Sequence, residues 1–374
     1  MKLQKISDIT ATLPFTEFDF LQKYRESFKV SELGRIHELL PLREIADEIR
    51  RRMPRNNPRG NKPVFPPEGE IALMFLKPYT GLSDDGLIEM LNGSLHMQMF
   101  CGVLIDPSNP IKDGKIVSAI RNRLAPYLDI RAVQKILYGK WSPKQAHKDM
   151  FLTDATCYES HLRYPTDIKL LWEGCQWMYD LLMEKSRMTG EPIEHRIVSI
   201  DRSYIRPIVR GKENKRVEFG AKVNCIQIDG ISFIEHHSFE VFNEGVRLKS
   251  SVEYHKELTG LDAGPVGADT IYANNENRRY CTENNITTCF IRKGPTPRDE
   301  HTDLRTARRI IGSLRATVME RSFGNQKQHY NLMRIAARNR HSETLQLFFG
   351  IHMANAATLA ARQIADEQRK KKRA

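Results

Sequence analysis

The stretch VNCIQIDGISFI at residues 223–234 decides the fold class of the chain. Two runs of largely apolar side chains, residues 223–228 and 231–234, flank the dipeptide Asp229-Gly230. Side chains in a strand point alternately to the two faces of a sheet, and an Asp-Gly pair is a preferred centre of a two-residue hairpin turn. The stretch therefore predicts two antiparallel strands joined by a tight turn.

The segments on either side of this hairpin complete a mixed sheet. Residues 150–152 are apolar and the polar stretch 153–156 follows, which predicts a buried strand ending in polar residues, with Asp154 just after its apolar part. After the hairpin, the periodicity predicts a helix near 246–258, a strand at 265–269, a helix at 275–283, a strand at 287–291 and a basic helix from about Asp303. With a helical insertion at about 165–215, this is the element order of a ribonuclease H-like fold: a mixed five-stranded sheet flanked by helices.

The first part of the chain is predicted to be all helical. Helical spacing recurs through residues 1–145, and Ser83 has the residue type and position of a helix N-cap. A basic linker is predicted at 50–66, where the Pro, Gly and Asn residues at 54–63 exclude regular structure. Short helices with a basic arm fit a DNA-binding domain of the helix-turn-helix type, and they fit a purely structural bundle equally well.

Composition and charge point to a polyanionic partner. The chain has 374 residues, with 58 Lys and Arg against 46 Asp and Glu, and a formal net charge of +12. Its six cysteines have no spacing typical of a zinc site or a disulfide framework, so we expect them to be reduced. Neither a signal peptide nor a membrane span is apparent, and we expect a cytoplasmic, nucleoid-associated protein.

One carboxylate stands out in the basic segment near the end of the chain. Between Arg305 and Arg340 there are nine Arg or Lys residues and a single acid, Glu320. Read as one continuous helix, the segment puts Glu320 nearly in line with Arg309 and Lys327. An acid in an electropositive stripe is typical of a site where a metal ion lies beside a bound polyanion, although a simple surface ion pair is the alternative.

Two aspartates are candidates to join Glu320 at a metal site. Asp154 follows the first predicted strand and Asp269 ends the strand at 265–269. In a ribonuclease H topology these strands are neighbours, and clustered carboxylates suit two Mg²⁺ ions. Asp201 also follows an apolar run and competes with Asp154 for this role. Asp262 precedes Ala-Gly-Pro and is better explained by turn chemistry.

With these residues identified, the chain resembles the DDE transposases of bacterial insertion sequences. The similarity lies in Asp154-Ala155-Thr156, in YPTDIKLL at 164–171, in FGAK at 219–222, in GADTIY at 267–272 and in VMERSFGNQK at 318–327. Residues 82–85 and 100–102 also resemble the helical domain that precedes the catalytic core of these enzymes. The resemblance covers roughly residues 60–360, and it implies a catalytic domain at 146–360 followed by a basic tail at 361–374.

The resemblance also implies roles for individual side chains. Asp154, Asp269 and Glu320 would be the catalytic metal ligands for two Mg²⁺ ions, for which Mn²⁺ can substitute, and Lys327 would contact the transposon end. Relatives carry an arginine four residues before the glutamate. That position is Ala316 here, and Arg315 is one residue away. The role of the family's arginine therefore stays unassigned in this chain. We expect DNA contacts from three arginines: Arg309, Arg315 and Arg321.

The function implied is DNA transposition. The protein would bind the terminal inverted repeats of an element, cleave one strand at its end and transfer the 3′-hydroxyl to target DNA, acting as a homodimer. Two alternatives remain open from the sequence. One is a domesticated DNA-binding protein without catalysis, and the other is a ribonuclease H-like nuclease without strand transfer.

Overall fold

A computed structural model describes residues 17–54, 63–161, 179, 182–184, 188–189, 202–209, 217–294 and 302–373. Most of the predicted insertion at 165–215 and part of the predicted linker at 50–66 lie outside these residues. The rival aspartate, Asp201, and the whole YPTDIKLL motif also lie outside them.

Eight α-helices lie in the described residues of the N-terminal region. They are α1 Glu17–Val30, α2 Glu32–Leu39, α3 Leu42–Arg52, α4 Pro67–Thr80, α5 Asp84–Gly93, α6 Leu95–Phe100, α7 Lys115–Leu124 and α8 Ile130–Trp141. The predicted N-cap is confirmed, since the side chain of Ser83 accepts a hydrogen bond from the Gly86 amide at the start of α5. Gly81 ends α4 in the left-handed conformation, which glycine adopts without steric cost.

The remainder of the described chain alternates strands and helices. The strands are β1 Phe151–Ser160, β2 Pro207–Val209, β3 Val217–Ile228, β4 Ile231–Ser238, β5 Pro265–Ala268, β6 Thr287–Thr288 and β7 Arg334–Ile335. The helices are α9 Leu248–Thr259, α10 Asn275–Glu283, α11 Thr302–Leu314, α12 Glu320–His329 and α13 Arg340–Arg373. The architecture is therefore mixed α/β, with a helical N-terminal region.

The strands form one curled, mixed sheet. Strand β3 is antiparallel to β1 and to β4, whereas β5 is parallel to both β1 and β6. The five strands run in the order β4-β3-β1-β5-β6, and two short strands extend this set, β2 along β3 and β7 along the end of β1. The longest strands, β1 and β3, thus form the centre of the sheet.

The predicted hairpin is confirmed. Strand β3 ends at Ile228 and β4 begins at Ile231, so the turn contains only Asp229 and Gly230. Both turn residues have positive φ, 47° and 76°, as a hairpin turn that matches the twist of its strands requires. Arg362 of α13 donates to the Asp229 carbonyl oxygen at 2.8 Å, which ties the turn to the last helix.

Two expectations from periodicity are wrong. Strand β1 does not end in the polar residues at 153–156 but continues to Ser160, because β3 pairs with it from Leu152 to Glu159. The basic helix is not continuous: residues Arg315–Met319 form a π-helical turn between α11 and α12. A π turn contains an additional residue, so side chains before and after it shift relative to an unbroken α-helix.

The last helix, α13, packs against both the N-terminal helices and the sheet. The ring of Phe349 meets that of Phe75 on α4 edge to face, with centroids 4.7 Å apart. On the sheet side, Asn355 donates from Nδ2 to the Ser232 carbonyl oxygen of β4 at 2.7 Å. The buried apolar residues therefore form one continuous core. Residues 361–373 extend this helix, and no described helix is long and apolar enough to cross a membrane.

Candidate active site

Strand pairing brings two of the predicted acids side by side. Strands β1 and β5 are parallel, with Leu152 opposite Gly267 and Thr153 opposite Ala268. The next residues along the two strands are Asp154 and Asp269. Neighbouring strands lie about 4.8 Å apart, so both carboxylates stand at the same point of the sheet. These residues are 115 positions apart in the chain, and the parallel register is what joins them.

The third acid, Glu320, is brought to the same point of the sheet by the helix that covers β5. Gly267 permits this close packing, because a β-carbon there would lie 2.6 Å from Leu152 Cδ2 and 3.0 Å from Ile311 Cγ2. Helix α11, which carries Ile311, leads through the π turn to Glu320 at the start of α12. The small residue on β5 thus lets the helix deliver Glu320 to the ends of the strands.

All three carboxylates face the guanidinium group of Arg315. Its Nη2 lies 2.8 Å from Asp154 Oδ2 and 3.2 Å from Asp269 Oδ2, and its Nη1 lies 4.0 Å from Glu320 Oε1. Arg315 is the first residue of the π turn. The structure therefore brings the three predicted ligands together, and an arginine whose role the sequence left open lies at their centre.

Burial differs strongly among the three acids. The side chain of Asp154 is 14% exposed, that of Asp269 41% and that of Glu320 64%. Burial raises the pKa of Asp154, and the charge and hydrogen bond of Arg315 offset this only in part. Burial by itself would lower the pKa of Arg315, but the nearby carboxylates raise it above its usual value. The site thus contains one buried acid, two accessible acids and a firmly protonated arginine.

The donor atoms suit a hard divalent cation, but the site as it stands is closed around the arginine. Three carboxylates offer only oxygen atoms, the ligands that Mg²⁺ prefers. Across the ranges that the structure describes, no three His, Cys, Asp or Glu side chains are grouped in a way that could already hold a metal ion. Because Asp154 Oδ2 and Asp269 Oδ2 both contact Arg315 Nη2, the guanidinium group occupies the place that a metal ion bridging these two atoms would take.

Lys327 lies beside this cluster. Asp154, Thr156 and Tyr158 project to one face of β1, because they alternate along the strand. Lys327 donates from Nζ to Thr156 Oγ1 at 2.9 Å, and its charge lies 5.4 Å from the centroid of the Tyr158 ring. Its amino group is therefore two strand positions from Asp154.

The other predicted DNA contacts lie on the surface. Arg309 and Arg321 are exposed, and within the described residues neither forms an ion pair with the three carboxylates. The expected alignment of Arg309 with Glu320 is wrong, because the π turn between them adds a residue. Asp262 pairs with Lys256 at 2.7 Å, and no ion pair among the described residues joins it to the cluster.

Sequence reasoning missed the polar network that fixes the Asp269 loop. Asp269 caps the short 3₁₀ helix Thr270–Tyr272, and Tyr272 donates its hydroxyl to Asn224 Oδ1 on β3 at 2.6 Å. Asn224 in turn donates from Nδ2 to Glu235 at 2.9 Å and to Ser251 at 3.1 Å. The only local signal was that Asn224, a polar residue, interrupts the apolar run of β3.

Comparison with known proteins gives one result for the N-terminal helices. Residues 21–123, from α1 to α7, match the family model described as Transposase domain (DUF772). No curated protein and no solved structure matches the chain. The matched residues lie outside the sheet and the carboxylate cluster, so they are independent of the site geometry. The match supports a transposase family for this chain.

Proposed function

We propose that this protein is a DDE transposase, which cleaves DNA at the ends of its element and joins the freed 3′-hydroxyl to target DNA. The observation that carries the proposal is the convergence of Asp154, Asp269 and Glu320 on one point of the sheet. The transposase-domain match at residues 21–123 supports the same conclusion from a separate part of the chain.

The topology of the sheet also supports the proposal. The order β4-β3-β1-β5-β6, with three antiparallel strands followed by two parallel ones, is the arrangement expected of a ribonuclease H-like catalytic domain. In that arrangement the acids come from the central strand, from its parallel neighbour and from a later helix. Asp154 on β1, Asp269 after β5 and Glu320 on α12 occupy these three positions.

Each side chain has a defined part in this function. Asp154, Asp269 and Glu320 would hold two Mg²⁺ ions, or Mn²⁺ in their place. When bound, the ions activate the attacking water or hydroxyl and stabilise the leaving oxygen. Lys327 contacts the phosphates next to the cleaved bond, and Arg309 and Arg321 extend the cationic surface along the DNA. The N-terminal helices bind the terminal inverted repeats, and two copies act together to hold two ends.

The direct test uses the full chain and a duplex that carries the terminal repeats found beside its gene. With Mg²⁺ or Mn²⁺ we expect cleavage at the repeat end, and joining of a pre-cut 3′ end to a second duplex. EDTA should abolish both reactions. Cleavage without joining would indicate a nuclease of the same fold, and cleavage that persists in EDTA would contradict a metal-dependent mechanism.

Lys327 provides a second prediction. Replacing Lys327 with Gln removes one phosphate contact, so binding to the repeat duplex should weaken and depend less on salt. The slope of log K against log salt concentration should become shallower by about 1. Lys256 is the matched control, since it is exposed and pairs with Asp262 away from the cluster. An unchanged slope in the Lys327→Gln variant would remove Lys327 from the DNA contacts.

A further inference from the structure

We infer that Arg315 is a positioning residue that occupies the carboxylate cluster before a metal ion binds and competes with that ion for the same oxygen atoms. The inference deepens the proposed function and rests on it. It concerns how the site is held together without metal, and it assigns a role to the arginine that the sequence left open.

The contacts of Arg315 are those of a central counter-cation. One nitrogen, Nη2, approaches both Asp154 and Asp269, while Nη1 faces Glu320. In the described part of the chain, no other Lys, Arg or His forms an ion pair with these three acids. Three clustered carboxylates repel one another. The guanidinium group therefore supplies the positive charge that lets the two strand ends and the helix approach.

The π turn explains how Arg315 reaches this position although it is five residues before Glu320. In an α-helix, a residue four positions before Glu320 lies on nearly the same side of the helix, and that residue would be Ala316. Residues Arg315–Met319 form a π turn, in which five residues occupy the place of about four. The added residue moves Arg315 into the position that a residue at minus four has in a regular helix.

Burial restricts the alternatives open to the Arg315 side chain. It is only 19% exposed, and its Nε is buried without a hydrogen-bond partner among the described residues. A guanidinium group loses hydration on burial, so it stays there only if nearby acids compensate. Since Nη2 bridges Asp154 Oδ2 and Asp269 Oδ2, a metal ion that bridges the same two atoms would take its place.

The test measures metal binding without catalysis. Mn²⁺ binding is followed by calorimetry on the full chain without DNA, and thermal unfolding is recorded in EDTA and in Ca²⁺. We expect Arg315→Gln to unfold at a lower temperature than wild type in EDTA, because the carboxylates then repel one another. It should bind Mn²⁺ about tenfold more tightly, since no ion pair has to be separated. Arg315→Lys keeps the charge, so its unfolding temperature in EDTA and its affinity for Mn²⁺ should lie between those of wild type and Arg315→Gln.

The controls separate this inference from the proposed function. Lys256→Gln removes an exposed cation that pairs with Asp262 away from the cluster, and it should bind Mn²⁺ like wild type. Asp154→Asn should no longer bind Mn²⁺, and it should unfold at the same temperature in EDTA and in Ca²⁺. If Asp154→Asn no longer binds Mn²⁺ but Arg315→Gln binds Mn²⁺ no more tightly than wild type, the metal site stands and the role of Arg315 is refuted. If Asp154→Asn binds Mn²⁺ like wild type, the metal is elsewhere and both proposals fail.

Discussion

Replacing Asp154 with Asn, Asp269 with Asn or Glu320 with Gln is expected to abolish DNA cleavage and strand joining. A catalytic metal ion contributes several kcal/mol to transition-state stabilisation, and each 1.4 kcal/mol is a factor of ten in rate. The loss should therefore be about 10³-fold or more for each variant. Asp154 should be the most sensitive position, because it is the most buried of the three acids.

The control for this series is an acid from the same region that does not contact the cluster. Asp262 is exposed, lies seven residues before Asp269 and pairs with Lys256. Asp262→Asn should cleave the repeat duplex at the wild-type rate. Gel-shift measurements should find that all three cluster variants still bind the duplex, since the N-terminal helices are unchanged. Normal cleavage by a cluster variant would mean that its acid is not a metal ligand.

The largest effect on stability is expected from Glu343, a buried residue in the first turn of α13. Its carboxylate accepts hydrogen bonds from Arg202 at 2.9 Å, from Tyr204 at 2.7 Å and from Ser160. Burial raises the pKa of Glu343, and these donors offset the effect only in part. Glu343→Ala would leave Arg202 buried without this partner, which should lower the free energy of unfolding by about 3–5 kcal/mol.

Urea denaturation followed by circular dichroism measures this change as a shift in the midpoint. Glu367 serves as the control, because it is on the same helix and pairs with Arg35 at the surface. Glu367→Ala should leave the midpoint unchanged within error. Replacing both Arg202 and Glu343 with apolar residues of similar size should restore most of the lost stability. If Glu343→Ala unfolds at the wild-type midpoint, the buried contacts do not stabilise the fold.

Local patterns predicted those parts of the fold that local physics determines. The Asp229-Gly230 turn, the N-cap at Ser83 and the end of β5 just before Asp269 all follow from residues within a few positions. The proximity of Asp154 and Asp269 was predicted only because a topology was assumed. Their parallel register depends on pairing between strands more than a hundred residues apart, which periodicity does not contain.

Other features could not be predicted because they depend on distant contacts. The predicted β1 is too short, since the polar residues at 153–156 follow a short apolar run, whereas β3 pairs with the strand to Glu159. The π turn has no signature in the spacing of apolar residues around Arg315. The buried contacts of Glu343 join three separate segments. In a sequence, an acid of this kind looks like any surface residue of a helix.

The shared core around α13 has a consequence for the order of events during synthesis. Phe75 on α4 packs against Phe349, so the N-terminal helices complete their core only with a segment made much later. At about 5–20 residues per second, the ribosome needs on the order of tens of seconds to add the intervening chain. During that interval the N-terminal helices carry an uncovered apolar face. In the folded chain α13 covers this face and also packs against β4 of the hairpin, so neither surface is covered until α13 has been made.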